Sequence, residues 1–204
     1  MRVIGLTGNI ASGKSTVSRL LRQLGAVVFD ADLAAREALT PGASAWKAIA
    51  NLDNGKYILP SGEVDRTALA ARVFSDEQLR QWLNQLTHSQ IRSAAEQFLA
   101  EQRKKGTRVA VLDVPLLFEA HWESLADEIW VVFVDEKTQC KRLMARDGID
   151  EASALAKMRS QWPLADKAKL AQVVLNKTGE PDVLETLVVS AWRALLERIE
   201  GGRA

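Results

Sequence analysis

The sequence predicts an α/β protein with a parallel sheet between layers of helices, and three features of the 204-residue chain carry that expectation. Three short runs, Arg2–Thr7, Arg108–Asp113 and Glu128–Val134, are almost continuously apolar rather than alternating. Such runs mark strands that are covered on both faces. Stretches with helical apolar spacing lie between them. The first run also ends in a glycine-rich turn that leads straight into a helix pattern. Strands alternating with helices imply crossover connections and a layered fold.

Taken in order, Arg2–Thr7 is the first strand, and Lys14–Leu24 then places Val17, Leu20, Leu21 and Leu24 on one helical face. Ala26–Phe29 and Val173–Leu175 are weaker apolar runs, candidates for edge or neighbouring strands. Leu33–Leu39 reads as a short helix opened by an aspartate. The stretch Pro41–Leu86 leaves this rhythm: turns at Pro41-Gly42, Asn54-Gly55 and Pro60-Ser61-Gly62 separate helical pieces, with no well-buried strand. Gln78–Arg103 repeats Leu79, Leu83, Leu86, Ile91 and Phe98, either as one long helix or as two broken near Thr87–Ser89. Residues 136–170 are mainly helical and carry Lys137, Lys141, Arg142, Arg146, Lys157, Arg159, Lys167 and Lys169. On composition alone, that run is a solvated helix face. Val183–Ile199 closes the chain with another helical stripe.

Hydrophobic residues make up 47% and charged residues 26%, which excludes disordered and collagen-like classes. The formal net charge of +1 creates no field for nucleic acid or an anionic membrane, so neither is expected as a partner. No apolar run reaches the roughly 18 residues of a membrane span. One cysteine and no export signal lead us to expect a cytoplasmic protein. The oligomeric state is left open. Of the six tryptophans, Trp82, Trp130 and Trp192 fall on helix or strand stripes and read as core. Trp162 has two readings, a packing anchor or a contact for a bound molecule.

The run Gly8-Asn9-Ile10-Ala11-Ser12-Gly13-Lys14-Ser15-Thr16 matches G-x-x-x-x-G-K-[ST] in full, after an apolar strand and before an amphipathic helix. Far less than one chance match is expected from this composition. Glycines let successive backbone N–H groups turn inward around an anion, and the helix start points its positive end there. Lys14 then reaches the β/γ-phosphates, and the Ser15 hydroxyl is a Mg²⁺ ligand. This is a phosphate-binding loop for a nucleotide, with Mg²⁺ implied. Asp30 and Asp32 follow the second apolar run, with Arg36 one turn on. One Asp is expected to cap the helix and the other, Asp32, to act as base on an acceptor hydroxyl. Asp113 ends another strand, where it can hold the Mg²⁺ shell through water, and Pro115 then forces the chain out of the sheet. Leu116, Leu117 and Phe118 are either core or the wall of a pocket.

Six segments then match a family in order: GLTGNIASGKST, VVFDADLAARE, SGEVDRTALAARVF, LTHSQIR, LDVPLLFE, and CKRLMARDG with MRSQWPL. The chain resembles the dephospho-coenzyme A kinases from end to end. The resemblance implies a P-loop NTPase fold of three α/β/α layers with a five-stranded parallel sheet, a helical substrate domain and a helical lid. It implies transfer of the ATP γ-phosphate to the 3′-hydroxyl of dephospho-CoA, giving coenzyme A and ADP in the last step of CoA biosynthesis. On this mapping the core is about 1–44, 106–135 and 171–204, the CoA-binding subdomain about 45–105, and the lid about 136–170. Lys14, Asp32, Arg142 and Arg146 are the catalytic candidates, with Arg142, Arg146 or both closing over the transferring phosphoryl group. Asp32, Arg36, His88, Arg92, Asp113, Pro115, Leu116 and Leu117 are the substrate-side candidates.

The chain departs from the family pattern at Ser89, where H-P-x-I-R is usual, and at Gln172 and Lys177, where A-D-x-x-I-x-N is usual. Asn9 and Ala11 also stand where glycine is common. A GTPase is the first rival, because Asn176-Lys177-Thr178-Gly179 begins like N-K-x-D. It lacks the fourth carboxylate, and Asp113-Val114-Pro115-Leu116 lacks the glycine of a D-x-x-G switch. Another small-acceptor P-loop kinase shares the loop but leaves DVPLLFE and LTHSQIR unexplained. A non-enzymatic ATP switch is the rival of another class, and it predicts nucleotide binding with no acceptor.

Overall fold

In a computed structural model, which describes residues 1–74, 76–178 and 181–201, the strands are β1 (Arg2–Thr7), β2 (Val27–Asp30), β3 (Val109–Asp113), β4 (Glu128–Phe133) and β5 (Val173–Asn176). They form one five-stranded sheet in the order β2-β3-β1-β4-β5. β1 lies at the centre, parallel to β3 with Leu6 opposite Asp113, and parallel to β4 with Thr7 opposite Val131. β4 pairs in parallel with β5, Trp130 facing Val173. The three strong apolar runs are the three central strands, and the two weak runs are the edges. β3 is buried at every position and β1 at all but its first, as strands sandwiched between helices must be. The edge strands are half-exposed, and this is why their apolar signal was weak.

The helices are α1 (Lys14–Gln23), α2 (Ala31–Glu37), α3 (Ser44–Ala50), α4 (Arg66–Phe74), α5 (Glu77–Lys104), α6 (Glu136–Asp147), α7 (Glu151–Arg159), α8 (Leu164–Leu170) and α9 (Pro181–Gly201). α5 runs through Thr87–Ser89 without a break. The Thr87 hydroxyl donates to the Leu83 carbonyl at 2.8 Å and the Ser89 hydroxyl to that of Leu86 at 3.1 Å, so both residues bond back into the helix.

By packing, the chain forms two compact units, one of Met1–Phe29 with Leu99–Ala204 and one of Asp30–Phe98. The second is narrower at its C-terminal side and wider at its N-terminal side than the 45–105 segment marked out from sequence. Its own core gathers Ile49, Tyr57, Val64 and Leu69, with Trp46 and Leu83 packed around them. The Trp46 indole donates to the Gly62 carbonyl at 2.7 Å, pinning a turn rich in Pro and Gly to α3. In the first unit, Ile4, Leu6, Val111, Trp130 and Val132 of the sheet meet Val17 and Leu21 of α1 and Leu184, Val188 and Trp192 of α9.

Residues 136–170, marked as a lid, pack as part of this first unit. α6 and α7 form a hairpin whose small core, Cys140, Leu143, Ala154 and Met158, also takes in Ile10 and Ala11 of the glycine-rich loop. Asp135 caps α6 by accepting from the Thr138 amide at 2.9 Å, and Asp150 caps α7 by accepting from Ser153 at 2.7 Å. Hydrogen bonds from the Thr138 and Ser153 side chains, and then these amide bonds, hold both carboxyls below their ordinary value. Between the helices, Asp147 accepts from Arg146 and from Lys157, each at 2.7 Å, and these two bonds lower its pKa to about 2. A depressed carboxylate pKa stabilises the fold above the unfolded value of 3.8, and that contribution is lost as pH falls toward 2. Carboxyl NMR should therefore show Asp147 titrating near 2 in the folded protein, and near 4 in an Arg146→Ala, Lys157→Ala variant.

Candidate active site

The loop after β1 starts from a strand in the middle of the sheet, so it stands at the carboxyl edge where open α/β sheets bind ligands. Ala11 (φ 60°) and Gly13 (φ 91°) take left-handed backbone angles that coil the chain back on itself. Gly13 is the N-cap of α1. It offers no side chain to the helix amides, and no acidic residue lies in the first turn. α2, α6 and α7 are closed by Asp30, Asp135 and Asp150, whereas α1, like the short α3 and α8, has no side-chain cap.

The outward-facing groups of the loop are held from 136–170. Ile10 donates its amide to the Gln161 side chain at 2.9 Å and accepts at its carbonyl from Gln139 at 2.9 Å. The Asn9 side-chain amide donates to the Trp162 carbonyl at 2.8 Å. Trp162 is 44% exposed and stacks on Phe118 with centroids 6.2 Å apart, so the anchor reading of this residue has a definite partner. The Asn9 Oδ1 and Ser12 Oγ atoms are buried and lack hydrogen-bond partners among the described residues.

Lys14, in the first turn of α1, forms an ion pair with Asp113, the last residue of β3. The register of β1 against β3 makes this possible by ending both strands at one edge. Asp113 is 2% exposed. Ser15 is exposed and Thr16 half-buried in the same turn. Pro115 accepts at its carbonyl from the Thr7 hydroxyl at 3.0 Å, tying the DVPLLFE segment to the end of β1. Leu116 is exposed. Leu117, counted from sequence among the substrate contacts, is a core residue instead: it is fully buried, its Cδ1 packed over Gly5 of β1. Only a residue without a side chain at 5 admits a leucine there.

The two arginines of α6 diverge. The Arg142 guanidinium turns to the Lys177 carbonyl at 3.1 Å, while Arg146 is taken up by Asp147. Phe133 connects the same region, its carbonyl accepting from the Lys177 amide at 2.7 Å. In the N-K-T-G stretch, Gly179 lies outside the described residues, and Lys177 lies beside the loop. In the second unit, Asp30 caps α2, accepting from the Leu33 amide at 3.0 Å, so Asp32 is the aspartate not used as the cap. Asp32 and Arg36 are exposed, one turn apart on α2. His88 is exposed on α5, and Arg92 four residues on bonds Glu96 at 3.1 Å.

One residue of the basic 136–170 run, which composition reads as a solvated face, is buried instead. Lys167 has no exposed surface; its ammonium bonds Glu119 at 2.7 Å and the Pro115 carbonyl at 3.3 Å. Glu119 also accepts from the Trp162 amide at 3.0 Å. The only signal was Lys167 standing three residues after Leu164, on the inner face of a short helix. The pair holds the 161–163 strip against DVPLLFE, and the strip holds the loop.

A parallel sheet of this order with an uncapped helix behind a glycine-rich loop and a lysine in its first turn defines a P-loop phosphotransferase fold. Its solved neighbours include a Thermus thermophilus protein, 34% identical over 97% of each chain with a TM-score of 0.79. Another is a Campylobacter jejuni dephospho-CoA kinase, 25% identical over 99% of this chain and 100% of the other, with a TM-score of 0.74. A Bacteroides thetaiotaomicron shikimate kinase shares the fold at 14% identity and a TM-score of 0.53. The particular family follows from the sequence as a whole. Residues 2–182 match the family model described as dephospho-CoA kinase. A Geobacter sulfurreducens dephospho-CoA kinase is 47% identical over 94% of this chain and 98% of its own, and one from Arabidopsis thaliana is 44% identical over 90% and 79%. The chain belongs to the dephospho-CoA kinase family.

Breaking the Lys167–Glu119 pair should cost about 3–5 kcal/mol, the penalty for leaving a buried charge alone. Thermal melts of Lys167→Met and Glu119→Gln should each show this loss, and the double variant should recover part of it.

Proposed function

We propose that the protein transfers the γ-phosphate of ATP to the 3′-hydroxyl of dephospho-CoA, releasing coenzyme A and ADP. The observation that carries this is the uncapped start of α1 behind a loop with Lys14 in its first turn, in a chain whose relatives of near-full length are dephospho-CoA kinases. The partners proposed are those two small molecules. Other small-acceptor kinases share the loop, but the family match extends over residues 2–182. A non-enzymatic ATP switch has no specific observation in its favour.

The donors at the loop suit Mg²⁺: the Ser15 hydroxyl and the Asp113 carboxylate are hard oxygen ligands, which this ion prefers along with substrate phosphates. Ser15 would hold the ion and Asp113 its water shell, and the bound ion would supply charge neutralisation across the phosphates. The loop amides at the start of α1 bind and orient the phosphates. Lys14, paired with Asp113, reaches the β/γ-phosphates and stabilises charge that builds up during transfer. Asp32 accepts the proton of the acceptor hydroxyl, a role supported by Asp30 filling the cap. Arg36, His88 and Arg92 are proposed to bind dephospho-CoA. Arg142 stabilises the transferring group; Arg146 would first have to leave Asp147.

ADP release should depend on dephospho-CoA and fall to background with AMP, adenosine, gluconate or shikimate as acceptor. Comparable kcat/KM for any of these would reject the reading. Lys14→Ala should abolish turnover in a folded protein. Asp32→Asn should keep ATP affinity and lower single-turnover rate by about 10²–10⁴-fold, with Asp30→Asn far milder in rate. Arg142→Ala should lower kcat more than Arg146→Ala does.

A further inference from the structure

We propose that Lys177 is a second phosphate-binding cation of this site, gripping the nucleotide at the α/β-phosphate end while Lys14 serves the β/γ end. The proposal deepens the reading above and rests on it for the identity of the nucleotide. Lys177 follows β5, far from the loop in sequence, yet its side chain lies directly over Gly13. A Cβ at Gly13 would come within 2.5 Å of the Lys177 Nζ and 2.8 Å of its Cδ. The ammonium also approaches the Thr16 hydroxyl at 3.4 Å, a long contact that satisfies little of its hydrogen-bonding capacity. It therefore stands at the uncapped amide end of α1, where the helix is positive.

A second cation lies beside it. Arg142 donates to the Lys177 carbonyl through one nitrogen, and its other terminal nitrogen, Nη1, is buried without a partner. Burial, and then the Arg142 charge, hold the Lys177 pKa below the usual lysine value. Among the described residues no carboxylate pairs with either one, in contrast to Lys14, which has Asp113. Two partly desolvated cations and a helix amide end in one place repel one another. They have a common remedy in an anion that bridges them, and a diphosphate bound in the loop is an anion of that kind. The backbone supports the placement: the Lys177 amide is fixed to the Phe133 carbonyl at 2.7 Å, so the side chain springs from the sheet edge rather than from a loose loop.

The test uses the full chain and calorimetric titration with ADP, and with adenosine as the phosphate-free control. Lys177→Asn should weaken ADP about tenfold, the loss of a charge-assisted hydrogen bond, and leave adenosine unchanged. Lys177→Arg should restore ADP binding, since it keeps the charge. In turnover of dephospho-CoA, the KM for ATP should rise by the same factor in Lys177→Asn, with a smaller change in kcat. Equal losses for ADP and adenosine would assign Lys177 a structural role and overturn the proposal, as would wild-type ADP affinity in Lys177→Asn. Thermal melts of both variants identify any loss due to unfolding; should Lys177→Asn not fold, Lys177→Met, which keeps the chain length without the charge, is titrated in its place with the same expected outcomes. The titrations need no acceptor. Failure of wild-type protein to phosphorylate dephospho-CoA would count against the proposed function, and normal ADP binding by Lys177→Asn against this inference.

Discussion

A glycine-rich loop keeps one shape only when its outward-facing polar groups find partners elsewhere. Here residues 139–162 supply them for Ile10 and for the Asn9 side-chain amide. Both the amide and the carbonyl of Ile10 are bonded by glutamine side chains, and Asn9 is bonded by the backbone beside Trp162. Ile10 and Ala11 also enter the small core of the α6–α7 hairpin. The loop is thus fixed from outside, and its inner face is left for a ligand. A basic, helical segment that composition reads as a solvated face is for this reason part of the site's frame.

That frame is supported in turn by a buried charge. Lys167 is held by Glu119 and Pro115, and Glu119 by Trp162, so DVPLLFE, the 161–163 strip and the loop form one chain of contacts. Burying an ion pair is rarely favourable in itself, because desolvation offsets much of the attraction. Its effect here is geometric: a lysine without exposed surface can be satisfied only when each of these segments is in place. The Trp162–Phe118 stack adds apolar contact to the same junction.

Charge is distributed unevenly around the loop. Lys14 is neutralised by Asp113, a buried carboxylate at the end of the neighbouring strand. Among the described residues Lys177 and Arg142 share no such partner, and the start of α1 has no acidic residue. The second unit carries Asp32, Arg36, His88 and Arg92 on α2 and α5, on a scaffold with a separate core around Tyr57. The residues proposed for the phosphates therefore belong to the sheet unit, and those proposed for the acceptor mostly to the helical one.

Much of this was legible in the chain. Continuous apolar runs marked β1, β3 and β4 because burial on both faces leaves no polar positions, and G-x-x-x-x-G-K-S marked the loop because its backbone geometry needs those residues locally. The cap on α2 was readable for the same reason, an Asp three residues before the amide that it accepts from. Leu117 in the core, Arg146 turned aside to Asp147, Lys167 buried and Lys177 over Gly13 were not readable. Each depends on which distant segment lies across from it: Lys177 meets Thr16 at a separation of 161 residues, and Lys167 meets Pro115 at 52. Periodicity and turn chemistry act within a few residues, whereas the reach of a long charged side chain is set by strand order and helix packing. Only the assembled sheet, with β5 beside β4 and β4 beside β1, brings the end of the last strand to the loop after the first.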